Sequence, residues 1–380
     1  MPRCSQTNCN PPPRGRLAEG SAEGGSTSGT GLPDLTRPGG LRSVLYDGEC
    51  MKVVIAGSSG LVGTALTDSL LRDGHTVVRL QRSGSAAKKE NSKGARNEKD
   101  TGNSAQKSPG KAIDIAWNPN TCDLEGEPFG AEQDKVEGSD ALVNLAGASI
   151  SGETWNAERK AVLRSSRVHI TRELVCSLEK LEDGPKTIIS ASAIGYYGNR
   201  GDEVLTEESK PGDDFLARLA LEWEAEAVKA EALGMRVARL RLGIVLAKHG
   251  GALPQMMRPF KFGVGGRVGS GQQWMSWVAL QDVVSVIRLA LENRAVSGAI
   301  NVVAPQPVRN AGFAQALGRA MHRPALVPAP AFALEFALGE MAEALLLASQ
   351  RVAPSRLQQL GYQFAQRDLS SALTNILAEP

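Results

Sequence analysis

Short apolar runs alternate with helical patterns between residues 51 and 245. The run Lys52–Ala56 is apolar without alternation, which is typical of a strand buried on both faces of a parallel sheet. After it, Val62, Leu66 and Leu70 recur every four residues and form one apolar helical stripe. The other predicted strands are Thr76–Leu80, Ala112–Trp117, Ala141–Ala146, Thr187–Ala191 and Arg236–Leu242. This alternation predicts an α/β fold with a doubly wound parallel sheet.

Two longer helices are predicted between these strands. The first covers Ala157 to Leu181. The second begins after Asp213 or Asp214, either of which can cap its first turn, and it ends at Gly234. Because ligands of open α/β sheets bind beyond the carboxyl ends of the strands, the loops that join these strands and helices are the expected site.

The pattern changes after residue 245. A glycine-rich region is followed by a predicted helix at Gln281–Leu291, a strand at Ala299–Val303 and a mostly helical remainder. We interpret residues 246–380 as a smaller cap beside the sheet domain of residues 51–245, with a helical domain at 305–380. Residues 1–50 and 84–111 have few apolar side chains to bury, so we predict a disordered leader and a disordered insertion.

A glycine loop directly follows the first predicted strand. It contains Gly57, Ser59, Gly60 and Gly63, and the next helix begins with Leu61 and Val62. A strand, a glycine turn and a helix place unpaired backbone N–H groups at the helix start, where the helix dipole favours the negative charge of a pyrophosphate. A plain turn is the alternative, but the strand-and-helix context favours a dinucleotide-binding loop.

Several further motifs follow in order, from Asn144-Leu145-Ala146-Gly147 to the stretch Ser190–Gly198 and the segment Gly265–Trp274. With the glycine loop, they resemble the extended short-chain dehydrogenase/reductase superfamily, in its NAD(P)-dependent epimerase/dehydratase branch. The resemblance implies a Rossmann-type sheet, a small-molecule substrate and a nicotinamide cofactor. It also implies cofactor contacts at Leu145, Ala146, Gly147, Arg167 and Val245; for Arg167, a surface ion pair is the alternative.

The end of the second strand bears on the choice of cofactor. An acidic residue there would bind the ribose diol of NAD, but the sequence has Leu80-Gln81-Arg82-Ser83. Arg82 can pair with a 2′-phosphate, and a solvated surface arginine is the alternative. The missing acid favours NADP over NAD.

The usual catalytic residues of the superfamily are a serine, a tyrosine and a lysine four residues after the tyrosine. Ser192 falls at the serine position, but the other two positions are occupied by Phe215 and Leu219. A phenyl or isobutyl group cannot transfer protons. Tyr196 or Tyr197 could substitute, although a tyrosine in such a loop is often structural. Two hypotheses therefore remain, an NADP-dependent epimerase-like oxidoreductase with an altered acid–base group and a dinucleotide-binding sensor or scaffold without turnover.

Charge and cysteine spacing exclude several other functions. The formal net charge is +2, which gives no indication of a nucleic-acid or acidic membrane partner. No cysteine pair has the spacing of a zinc site, and no apolar run is long enough to span a bilayer. The first fifty residues lack the apolar region of a secretory signal. We therefore predict a cytoplasmic protein without a resident metal, while organelle targeting by the leader stays open.

Overall fold

The computed structural model describes residues 50–82, 110–119 and 129–379. The predicted leader and most of the predicted insertion lie outside these ranges. The strands of the described residues are β1 Lys52–Ala56, β2 Thr76–Arg82, β3 Ala112–Trp117, β4 Ala141–Asn144, β5 Thr187–Ala193, β6 Val204–Leu205, β7 Arg236–Leu242, β8 Ile244–Leu246, β9 Trp274–Met275, β10 Trp277–Ala279, β11 Gly298–Val302, β12 Val308–Arg309 and β13 Arg351–Val352.

Eleven α-helices lie among these strands in the described residues. They are α1 Leu61–Arg72, α2 Ala157–Arg164, α3 Ile170–Glu179, α4 Phe215–Val228, α5 Leu253–Lys261, α6 Leu280–Glu292, α7 Asn310–Ala320, α8 Ala331–Leu338, α9 Glu340–Ala342, α10 Ser355–Gln359 and α11 Leu369–Ala378. Among these same residues, no helix is long and apolar enough to cross a bilayer.

Seven strands form one parallel sheet in the order β11-β7-β5-β4-β1-β2-β3. All six strands predicted from the apolar runs are in it, and the doubly wound α/β fold is confirmed. The seventh strand, β11, corresponds to the strand predicted at Ala299–Val303, beyond the predicted boundary at residue 245. The division into a sheet domain and a cap stays a prediction.

Helices cover both faces of this sheet. Val53 and Ile55 of β1 pack with residues of α1 and α6, whereas Val54 and Ala56 pack with residues of α3 on the opposite face. Because successive side chains of a strand point to opposite faces, a run that is apolar throughout requires cover on both. The two layers therefore explain why the first strand shows no alternation.

The helix predicted between Ala157 and Leu181 is divided in the structure. Helices α2 and α3 are separated by a π-helical turn at Ser165–His169. Such turns insert one extra residue per turn into an α-helix and are frequent at functional sites. Helix α4 agrees with its prediction, because the Asp214 side chain accepts a hydrogen bond from the Ala217 backbone at 2.8 Å and caps it.

Candidate active site

The glycine loop after β1 packs directly against the loop after β4. Gly57 has a φ of +81°, and a Cβ atom there would lie 2.7 Å from the carbonyl of Leu145. A Cβ atom on Gly63 would lie 2.2 Å from the Gly57 oxygen. Both contacts are with backbone atoms, which cannot move aside as a flexible side chain can. Glycine at these positions therefore lets two predicted cofactor loops approach each other and the first turn of α1.

The first turn of α1 has backbone N–H donors that no side chain caps. Its N-cap is Gly60, no side-chain hydrogen bond caps it, and its first turn contains no acidic residue. Ser59 and Gly60 are exposed. The N–H groups of Leu61, Val62 and Gly63 have no partner inside the helix, which is the arrangement that accepts a phosphate.

Arg167 lies in the π-helical turn and points at the loop after β4. Its side chain is buried; Nη2 donates to the Ala148 oxygen at 2.9 Å and Nη1 to the Leu163 oxygen at 3.2 Å. A Cβ atom on Gly147 would lie 3.2 Å from its Cζ. Burial, and the nearby charge of Arg159, lower the pKa of Arg167 to about 10.

This guanidinium has no acidic partner in the part of the chain that the structure describes, whereas the buried Arg241 pairs with Glu224. Removing a cation from water is costly unless an anion compensates it. A bound anion at Gly147 would supply that compensation. The alternative of a surface ion pair for Arg167 is therefore wrong for the described residues, because the side chain is buried and its partners are two carbonyl oxygens and the Ser166 hydroxyl.

Two more predicted cofactor residues border the same strand ends. A Cβ atom on Gly251 would lie 3.1 Å from a Leu61 methyl group and 3.4 Å from the Val245 oxygen, so the loop after β8 lies over the start of α1. Arg82 is the last residue of β2, the strand beside β1. Their contacts with a cofactor stay predictions.

The predicted catalytic serine belongs to a buried polar network between β5, β7 and α4. The Ser192 hydroxyl donates to Glu224 Oε1 at 2.7 Å, and Arg241 donates to the same carboxylate through Nε at 2.7 Å and Nη2 at 2.9 Å. Arg239 adds a further ion pair at 3.0 Å. The Ser192 hydroxyl and the Glu224 carboxylate are therefore both bonded to side chains inside the protein.

Tyr197 completes this network. Its hydroxyl donates to Asn301 Oδ1 at 2.7 Å and accepts from Arg241 Nη1 at 3.0 Å. Its side chain is fully buried, and burial raises its pKa to about 12. Tyr196 packs edge-to-face on Tyr197, and the guanidinium of Arg241 lies 3.5 Å from its ring centroid. The catalytic roles of Ser192, Tyr196 and Tyr197 stay predictions, but the contacts seen here are structural.

The two positions of the missing relay lie on the first turns of α4. Leu219 is buried, and Phe215 is half-buried in a cluster with Leu145 of the predicted cofactor loop. Ala191 and Leu242, near the carboxyl ends of β5 and β7, belong to the same cluster. Phe215 and Leu145 of the predicted cofactor loop therefore pack against the same buried cluster.

Sequence reasoning missed Glu224 and Arg241. A signal was present, because Arg239 and Arg241 stand two positions apart within a strand whose other interior residues are apolar. Two arginines on one face of a buried strand require a buried acid. The acid lies on a helix that pattern alone could not place opposite them.

The comparisons agree with this geometry. Residues 53–303 match the model of the NAD dependent epimerase/dehydratase family, and residues 329–376 match a domain of unknown function. An epimerase family protein of Mycobacterium leprae, ML0860, is 37% identical, covering 86% of this chain and 96% of the relative. The chloroplastic SDR39U1 homolog of Arabidopsis thaliana is also 37% identical, covering 86% and 87%.

A solved structure of the human epimerase family protein SDR39U1 with NADPH is similar as well. It has a TM-score of 0.69 and 30% identity, and the match covers 86% of this chain and 99% of that one. The family model matches well over half of this chain, and its match includes the glycine loop, the loop after β4 and helix α4. This chain therefore belongs to the NAD dependent epimerase/dehydratase family.

Proposed function

We propose that this protein is an NADP-dependent oxidoreductase that acts on a small molecule. The observation that carries the proposal is the convergence at one sheet edge of the open α1 N-terminus and the buried, acid-free Arg167. One supplies backbone donors and the other a compensating charge, as a dinucleotide requires. The human relative's structure with NADPH supports the same cofactor.

Four sets of residues would hold the cofactor. The N–H groups of Leu61, Val62 and Gly63 would hold the pyrophosphate, Leu145 and Ala146 would lie along the dinucleotide, and Arg167 would compensate its charge. Arg82 would bind the 2′-phosphate, because β2 ends without the acid that NAD would need. When bound, NADPH supplies a hydride.

A sensor or scaffold without turnover is the second candidate. The absence of a proton donor at the catalytic positions favours this second candidate. Phe215 and Leu219 have no proton that they can transfer, and the Ser192 hydroxyl donates to Glu224. Both candidates require the same cofactor site. A cytoplasmic location stays our prediction; an organelle is the alternative, because the Arabidopsis relative is named as chloroplastic.

A fluorescence titration of the whole chain with NADPH and NADH tests the shared part. We expect NADPH to bind more tightly, and Arg82→Ala to reduce the difference by about 1–3 kcal/mol, the scale of a lost charge-assisted hydrogen bond. Arg79→Ala is the matched control, because Arg79 lies on the same strand and pairs with Asp114. Equal affinity for both cofactors in the unmodified chain would refute the choice of NADP.

A further inference from the structure

Half-buried apolar side chains from three segments, including Phe215 of α4, pack against one buried cluster. Ile150 and Trp155 come from the segment between β4 and α2, and Ala344 and Leu345 from the π-helical turn Glu343–Leu347. The Trp155 and Phe215 rings meet edge-to-face with centroids 5.3 Å apart. These five side chains, here called the apolar wall, rest on the same buried cluster as Leu145 of the predicted cofactor loop.

One lysine stands over this wall. The ammonium group of Lys160 lies 5.0 Å from the centroid of the Phe215 ring and pairs with Glu340. Its neighbour along α2, Arg159, pairs with Glu153 at 3.5 Å instead. Lys160 is thus the one ammonium group that the described residues place against the ring at the tyrosine position.

The wall also limits the substrate. A nucleotide sugar presents hydroxyl and phosphate oxygens that need donors and acceptors when they leave water. The wall offers carbon atoms, and the Trp155 indole N–H is already donated to the Ile150 oxygen at 3.0 Å. An apolar body would bury its surface against the wall without leaving polar groups unpaired.

Resting on the proposed function, we propose that the substrate is an apolar carbonyl compound and that Lys160 donates the proton that a tyrosine at position 215 would give. In the reduction, the carbonyl carbon gains the hydride that NADPH loses, and the C=O π electron pair takes a proton from Lys160 Nζ. The products are an alcohol, NADP⁺ and a neutral amine, which regains its proton from water. The ammonium group is a proton donor, as the phenol is.

Two probes test the substrate class in the intact chain. Calorimetry on the NADP⁺ complex should show binding of para-nitrobenzyl alcohol and weaker or no binding of UDP-glucose. Ala344→Asp puts a charge on the apolar wall and should weaken the alcohol by about ten-fold or more, since desolvating a charge is costly. Ala333→Asp, at an exposed position of α8, is the matched control and should leave binding unchanged.

Reduction of para-nitrobenzaldehyde by the NADPH complex tests the proton donor. Lys160→Met should lower kcat by about 10²-fold, the usual contribution of a general acid, with NADPH affinity unchanged. Lys160→Arg keeps the charge and the pair with Glu340 but does not release a proton, so it should be as slow. Lys261→Met, at an exposed position of α5, should change nothing.

Three results would overturn the inference. One is a Lys160→Arg variant as fast as the unmodified chain, and another is tighter binding of UDP-glucose than of the alcohol. The third is a chain that binds NADPH but neither binds nor reduces the apolar probes. A chain that binds no NADPH refutes the proposed function itself, and this inference falls with it.

Discussion

Two neighbouring pairs of strand ends in the same sheet are built in opposite ways. At the ends of β1 and β4, glycines and backbone groups dominate, and the partners of Arg167 among the described residues are two carbonyl oxygens and the Ser166 hydroxyl. At the ends of β5 and β7, the polar side chains of Ser192, Glu224 and Arg241 bond to one another. The first arrangement leaves backbone donors and a positive charge for a ligand. In the second, the polar side chains use their hydrogen-bonding groups on one another.

The difference shows why equal motif strength does not mean equal function. The glycine loop and the Ser190–Gly198 stretch both match the superfamily. The first leads into a helix N-terminus without a side-chain cap, whereas Ser192 and Tyr197 of the second bond to buried side chains. A buried polar group contributes stability once it is paired, and a paired group is no longer offered to a ligand. We therefore infer that the end of β1 serves binding and that the β5–β7 network serves stability.

The largest expected effect is on the buried network. Glu224→Gln keeps the shape of the side chain but leaves Arg241 buried without its counter-charge. Removing one partner of a buried pair costs about 3–5 kcal/mol of the free energy of unfolding, measured by chemical denaturation. Glu222→Gln is the matched control two residues away, because its pair with Arg164 is exposed and should cost about 1 kcal/mol or less. Equal losses in both variants would contradict a stabilising network.

A substitution in the glycine loop is expected to cost less stability than Glu224→Gln but to weaken NADPH binding. A methyl group on Gly63 would overlap the Gly57 oxygen, so Gly63→Ala should lower the free energy of unfolding by about 1–3 kcal/mol. The same shift should reduce NADPH affinity by about ten-fold or more, which is about 1.4 kcal/mol. The control Gly312→Ala lies in α7 with open space around it and should stabilise by about 0.5–1 kcal/mol. Unchanged NADPH affinity in Gly63→Ala would remove this loop from the binding site.

The smallest effect is expected at Tyr197. Tyr197→Phe removes one hydrogen bond to Asn301 and one from Arg241, and both of these residues keep other partners. We expect a loss of about 0.5–1.5 kcal/mol in the free energy of unfolding. Tyr196→Phe, for which the described residues provide no hydroxyl partner, should lose less.

This variant also has a defined pH dependence. Burial raises the pKa of Tyr197 from 10.0 to about 12, so the folded chain retains a proton that the unfolded chain releases between these values. The phenol's contribution is therefore complete below pH 10 and is lost as the pH rises through about 12. The stability of Tyr197→Phe should fall less steeply across that interval than the stability of the unmodified chain. Parallel curves would show that Tyr197 does not titrate with unfolding.

The sequence predicted most of the sheet because buried parallel strands are short, apolar and separated by helices. The runs at β3 and β7 agree with their predicted bounds, and Asp214 caps α4 as expected. The π-helical turn that carries Arg167 was not predicted, because the apolar periodicity of α2 and α3 continues through it. Tertiary packing decides such a turn.

Only the part of the candidate site that consists of backbone groups could be predicted from the sequence. Gly57 and Gly63 indicate a close approach of two chain segments, and their spacing can be recognised in one stretch of sequence. Lys160 and Glu340 are 180 positions apart and meet only in the folded chain. No local pattern distinguishes such a pair from solvated surface charges, so the wall beside Phe215 required the structure.

A calorimetric titration of NADPH into Gly63→Ala and Tyr197→Phe tests the contrast between the two strand ends most directly. Both chains are first shown to be folded by circular dichroism. We expect Tyr197→Phe to bind NADPH with the affinity of the unmodified chain and Gly63→Ala to lose about ten-fold or more. Loss of binding in Tyr197→Phe together with full binding in Gly63→Ala would contradict the account.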